Sequence, residues 1–301
     1  MSTIEGQPAR GPVAGDMSAA LLDRIEWQAH LSVTAYGVSV GVRTNDPRVA
    51  EGLADHLPPG SESAEFFDTG RMYSLVAEEG DRSGRYPNSV YVNGALLVRC
   101  STPQTCLRAF EADVQLHVAE MAPERVFVHA GVVGYRGRGI LLPGRSFAGK
   151  STLVRELVRA GAQYYSDEYA VLDSAGGVHP YPRPISIRNG GGAGVTKHQV
   201  DTLGGRAADG PLPVGLVVMS EFRSGGEWRP RRLSPGRGAL ALLANTVAAR
   251  RIPEVALATF QQVVTRVPIV ASERGEASAV VEPILELAAR SEWDRGQIEG
   301  E

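Results

Sequence analysis

Eight consecutive residues, Gly144-Arg145-Ser146-Phe147-Ala148-Gly149-Lys150-Ser151, carry the most specific chemistry in this chain. They match the spacing G-x-x-x-x-G-K-[ST] without deviation, which describes a phosphate-binding loop (P-loop). Glycines at positions 144 and 149 let the backbone wrap closely. The N–H groups of Ser146, Phe147, Ala148 and Gly149 can then point at phosphate oxygens. Lys150 supplies a compact positive charge to the outer phosphates, and the Ser151 hydroxyl is suited to ligate Mg²⁺. A helix beginning at Lys150 adds the positive end of its dipole and the unpaired N–H groups of its first turn, that of Thr152 included. The expected ligand is a nucleoside triphosphate with Mg²⁺. Of 31 basic residues only Lys150 and Lys197 are lysines. One of the two falls where the planar arginine fork would substitute poorly.

Such a loop must leave a strand and enter a helix, and the flanking sequence supplies both. Residues 140–142 read as a short strand, after an apolar run over 126–135 and a turn at 136–139. Residues 150–159 carry Leu153, Val154, Leu157 and Val158 at helical spacing, and Gly161 ends the helix. Strand-like segments at 163–165 and 169–172 enclose Asp167-Glu168, with a turn at 175–177. Residues 189–194 form a Gly-rich loop, and 212–219 a buried strand. Helices are expected over 238–250, 253–264 and 277–290, with a strand at 267–271.

Upstream, one strand is expected over 31–42. A helix capped by Asp46 with Pro47 in its first turn should run to about Leu57, followed by a strand over 66–77. Asn93-Gly94 joins a hairpin of residues 89–92 and 95–100, and Thr102-Pro103 opens a helix to Met121. The domain reading is a flexible segment 1–24, a small α+β domain 25–122 without a chemical motif, a P-loop domain 123–290 and a polar tail 291–301.

Composition narrows the classes further. A net charge of −3 in 301 residues gives no global reason for a nucleic-acid or membrane-surface partner. Apolar runs fall well short of the ~20 residues that span a bilayer. The N-terminus lacks a secretory signal, so a cytoplasmic location is expected. Cys100 and Cys106 read as core residues rather than as a disulfide or metal pair.

Three further elements carry a resemblance. His129-Ala130-Gly131, the segment Gly139–Gly144 leading into the loop, and Tyr165-Ser166-Asp167-Glu168 together resemble the HPr kinase/phosphorylase superfamily, and in particular its HPr-kinase-related, lasso-peptide-kinase-like members. The spacings agree, at fifteen residues from His129 to Gly144 and twenty-three from Gly144 to Asp167. Residues 178–188 also look like a family segment, and the match covers roughly residues 125–290. The resemblance implies an α/β fold of the HPr kinase/PEP carboxykinase-like type, with a mixed sheet and flanking helices. It implies ATP and Mg²⁺ as cofactors, and a kinase acting on a hydroxyl of a small molecule or peptide. Asp167 would be the general base beside the metal, Glu168 a second metal-side acid where an aspartate is usual, and His129 a group near the transferred phosphate. Arg183 and Arg188 would hold phosphate or acceptor, and a homo-oligomer is implied as well. Residues 189–194 do not reproduce the second Gly-rich signature of the bifunctional enzymes. Neither HPr as substrate nor phosphorylase activity is therefore expected. The alternative is a nucleotide-binding regulator with little or no transferase activity.

Overall fold

The computed structural model describes residue 22 and residues 24–65, 70–77, 88–144, 148–188 and 195–290, the side chains of 187, 188 and 195 excepted. Most of the expected N-terminal segment, the tail and the Gly-rich loop 189–194 lie outside the described residues. So do the start of the strand expected at 66–77 and residues 145–147 of the P-loop. The chain forms two compact units, Met1–Val118 and Ala119–Glu301.

The first unit joins two hairpins through a parallel pair of strands. β1 (Ala29–Ala35) and β2 (Val38–Thr44) replace the single strand expected at 31–42. The turn is Tyr36-Gly37, both with positive φ (51° and 79°). Apolar alternation continues through both arms, so only Gly37 signalled the reversal. Asp46 caps α1 (Pro47–Gly52), accepting from Arg48 N at 2.9 Å. A 3-10 turn at Ala54–His56 ends that segment. β3 (Glu62–Ser63), β4 (Met72–Ala77), β5 (Asn88–Val92) and β6 (Ala95–Cys100) complete a six-stranded sheet of order β3-β1-β2-β4-β5-β6. Asn93-Gly94 makes the β5–β6 turn. α2 (Pro103–Met121) follows, and Phe110 meets the ring of Tyr73 edge-on at 5.0 Å between centroids. Cys100 and Cys106 are buried and unpaired.

The second unit opens with a hairpin of β7 (Val126–Tyr135) and β8 (Arg138–Pro143). The helix after the P-loop is α3 (Lys150–Arg159), with Leu153, Val154, Leu157 and Val158 buried in one core cluster. Burying each such side chain contributes about 1.5–3 kcal/mol. The helix approaches β7 so closely that a Cβ on Gly131 would lie 2.5 Å from Val154. β9 (Gln163–Ser166), β10 (Tyr169–Leu172), β11 (Gly177–His179), and the pair β12 (Ile185–Arg188) and β13 (Val195–His198) come next. The remaining strands are β14 (Leu212–Phe222), β15 (Arg231–Arg232) and β16 (Ile269–Arg274). The main sheet has the order β11-β10-β7-β8-β14-β16-β15, and β9 pairs with β7. β8, β14 and β16 are mutually parallel, whereas β7 runs against β8, β9 and β10. The sheet is thus mixed, and the carboxyl ends of β8, β9, β14 and β16 gather along one edge.

Helix boundaries depart from expectation at the C-terminal side. α4 spans Pro235–Leu243, capped by Ser234, not 238–250. The chain leaves the helix because it pairs with β7: His129 N donates to Asn245 O at 2.8 Å and Val247 N to Phe127 O at 2.9 Å. α5 (Pro253–Val264) is as expected. The strand expected at 267–271 starts and ends later, as β16. The last expected helix begins with a 3-10 turn at Ala277–Val280 before α6 (Val281–Ala289). Among the described residues no helix is long and apolar enough to cross a membrane.

Candidate functional site

Gly149 sets the local geometry of the P-loop. It has φ of 76°, which a side chain would strain, and a Cβ there would lie 2.6 Å from Nη2 of Arg274. At the other end of the loop Gly144 N donates to His129 O at 3.2 Å, tying β8 to β7. Lys150 Nζ donates to Gly144 O at 2.8 Å, so the lysine folds back across the loop. Burial pushes the Lys150 ammonium below its ordinary value, opposed by the fields of Glu168 and Asp167. Ser151 and Thr152 follow in the first turn of α3.

Asp167 stands at the carboxyl end of β9 on a turn built by its neighbour. Ser166 Oγ accepts from Glu168 N at 3.1 Å and from Tyr169 N at 2.9 Å, and this side-chain turn fixes the aspartate's direction. The Asp167 carboxylate is 8% exposed. It accepts from Tyr164 Oη at 3.0 Å and from Ser186 N at 3.2 Å, and the nearby Ser151 side chain favours its charged form. Burial raises its pKa above the usual carboxylate value, and those polar neighbours with the Arg183 field only partly offset the rise. Glu168 is exposed, and its field reaches Lys150.

His129 pairs across the sheet with Tyr169, their rings 5.0 Å apart. Burial, and then the Lys150 charge, lower its pKa from 6.5, which keeps the ring neutral at physiological pH. Arg183 contributes its carbonyl to Tyr164 Oη at 2.8 Å and its charge to the field at Asp167. Arg188 ends β12, opposite Val195. Its side chain, like Ser146 and Phe147, lies outside the described residues. The structure therefore gathers Gly144, Ala148, Gly149, Lys150, Ser151, Asp167, Glu168 and His129 on one sheet edge, with Arg183 beside them. A hydroxyl and a carboxylate are hard oxygen donors, a set that suits Mg²⁺ completed by phosphate oxygens.

One residue of this site escaped the sequence. Arg274, at the end of β16, is 2% exposed and lies under the loop. Its Nη2 donates to Gly149 O at 2.9 Å and Ala148 O at 3.4 Å, and its Nη1 to Gly275 O at 3.1 Å. Its Nε is buried without a hydrogen-bond partner, and the field of Glu276, which forms no ion pair with it among the described residues, only partly offsets its burial. Burying a guanidinium against neutral carbonyls is costly, and an arriving phosphate would supply the missing countercharge. The only signal in the sequence is an arginine closing an apolar strand before Gly275.

No protein-family model matches this chain, and no curated protein matches it. Among solved structures it is similar to the HPr(Ser) kinase/phosphatase from Coxiella burnetii. The two share 16% identity over 54% of this chain and 92% of that one, with a TM-score of 0.31. That is a distant structural likeness and carries no argument about activity. The chemistry rests on the geometry above.

Proposed function

We propose that the second unit binds a Mg²⁺-nucleoside triphosphate, ATP in the reading favoured here, and transfers its terminal phosphoryl group to a hydroxyl of a small molecule or peptide. The observation that carries this reading is the buried Asp167 carboxylate standing beside the Ser151 side chain, within the field of Lys150. A plain Gly-rich turn has no reason to hold its serine against a buried acid.

In the proposed reaction the loop amides, Lys150 and the start of α3 hold the triphosphate. Asp167 orients the acceptor hydroxyl and takes its proton as the oxygen–phosphorus bond forms. The bond from the γ phosphorus to its bridging oxygen breaks, and the nucleoside diphosphate leaves. Asp167's raised proton affinity, caused by burial, makes it a stronger base than an exposed aspartate. A Mg²⁺ ion held by Ser151 and Asp167, with Glu168 as an outer acid, would neutralise charge on the phosphates. Neutral His129, beside Lys150, is suited to donate or accept a hydrogen bond near the γ phosphate.

The test is ATP labelled in its γ phosphate, offered with a panel of hydroxylated metabolites and peptides. Wild type should yield a labelled product. Asp167→Asn should keep ATP affinity within a few-fold and lose transfer by at least about a thousandfold. Tight ATP binding without labelled product on any acceptor would replace the kinase reading with that of a regulator.

A further inference from the structure

A cleft of about 740 Å³ opens beside the P-loop, bounded by Gly144 and Ala148, by the ends of β14 and β16, and by Asn245 and Arg231. Its size fits a nucleoside, since small-molecule sites run to roughly 300–1,000 Å³. Strand order decides which part of the donor faces it. β9, which leads into Asp167, pairs with β7 on one side of β8, whereas β14 and β16 lie on the other. In-line transfer puts attacking and leaving oxygens on opposite sides of the γ phosphorus. If the acceptor sits beside Asp167, the nucleoside must depart toward β14 and β16. Ligands of open α/β sheets commonly bind there, beyond the carboxyl ends of the strands.

The lining has the matching chemistry. Phe222 is 46% exposed in this polar cleft, unusual for an aromatic without a ligand to cover it. The Arg274 guanidinium lies 5.7 Å from its ring centroid. Glu221, next to it, lines the cleft and makes no ion pair among the described residues, whereas Glu273 is paired with Arg223 at 3.0 Å. A carboxylate is a natural acceptor for paired ribose hydroxyls. Among the described residues that line it, Arg231 stands against Glu221 and Glu273, a balance that suits a neutral nucleoside better than an anionic acceptor.

We propose that this cleft holds the nucleoside of the donor, with the base stacked on Phe222 and the ribose hydroxyls bound by Glu221. The assignment rests on the phosphoryl-transfer reading above. Titration calorimetry of the full chain with Mg²⁺ tests it, using ATP, 2′,3′-dideoxy-ATP and inorganic tripolyphosphate as probes. Wild type should bind ATP more tightly than tripolyphosphate. Phe222→Ala should weaken ATP about tenfold, the value of one stacked base, while leaving tripolyphosphate within twofold. Glu221→Gln should narrow the difference between ATP and its dideoxy analogue. Both residues are exposed, so both variants should fold.

Equal affinity of wild type for ATP and tripolyphosphate would overturn the assignment, as would an unchanged ATP affinity in Phe222→Ala. A parallel fall in both ligands would instead make Phe222 a support of the loop. A raised acceptor KM with unaltered ATP binding would give the cleft to the acceptor. Wild type binding neither probe would sink the phosphate-site reading itself, a result distinct from all of these.

Discussion

Two aspartates six residues apart in the same run of strands have opposite fates. Asp173, after β10, accepts from Ala175 N and Gly177 N at 2.9 Å each and pairs with His179 Nε2 at 2.8 Å. Partial burial raises its proton affinity, but His179 and the amides outweigh that, and its pKa falls below 3.8. Asp167, after β9, is almost wholly buried among hydroxyls and one amide, and burial wins. The first carboxylate carries its own partner and holds a turn. The second has the charges of Arg183 and Lys150 nearby and no ion pair among the described residues. The first unit repeats the Asp173 pattern at two places: His56 pairs with Glu111 at 2.9 Å, and Arg71 and Tyr73 share Asp113. Buried charge that serves structure brings its countercharge, whereas Lys150, Arg274 and Asp167 converge on one loop without fully cancelling.

Lys150→Met is the severest test of this contrast. It should weaken ATP on the order of a hundredfold, because the ammonium is the principal charge on the outer phosphates. The apo melting temperature should hold or rise, since a desolvated ammonium disappears. A large loss of stability would mean that Lys150 is structural and would break the comparison. Arg274→Met should weaken both ATP and tripolyphosphate about tenfold. It should also shrink the rise in melting temperature that either ligand produces, as scanning calorimetry would read. Arg274→Lys should recover part of the affinity, a recovery not expected if the residue only fills space.

Asp173→Asn should have the smallest effect, about 1 kcal/mol of stability at pH 7 with nucleotide affinity unchanged. Because the folded-state pKa is depressed, this stabilisation is complete above the unfolded value of 3.8 and is lost as pH falls through the lower folded value. Denaturant midpoints of variant and wild type should therefore converge on acidification. A difference that persists at low pH would show that the aspartate's charge is not what holds the turn.

Local signals were legible in the sequence. Asp46-Pro47 starts its helix, Asn93-Gly94 turns its hairpin, and the strand, loop and helix around Lys150 follow from residues within a few positions of each other. Tyr36-Gly37 was missed because a tyrosine rarely takes positive φ and the alternation did not break. α4 was drawn too long because Val247 and Ala248 continue its apolar pattern while the backbones of Asn245 and Val247 are claimed by β7. Both Asp167 and Asp173 sit in turns next to small or polar residues, and only spacing from the loop singled out the first. Arg274 and the Phe222 cleft were invisible. Parallel pairing of β14 with β8 and β16 creates them, and no local pattern encodes which arginine a distant strand will carry under the loop.

That parallel trio also bears on the order of events during synthesis. Gly139 pairs with Val214, and Val217 with Ile269, so the floor beneath the P-loop joins segments far apart in the chain. The first unit, whose pairings all lie within residues 29–100, can fold while the ribosome is still translating the second. The loop cannot acquire Arg274 until nearly all of the second unit has emerged, and such non-local closure is intrinsically slow. A chain ending before β16 would contain the whole eight-residue motif and still lack Arg274 and one wall of the cleft beside it.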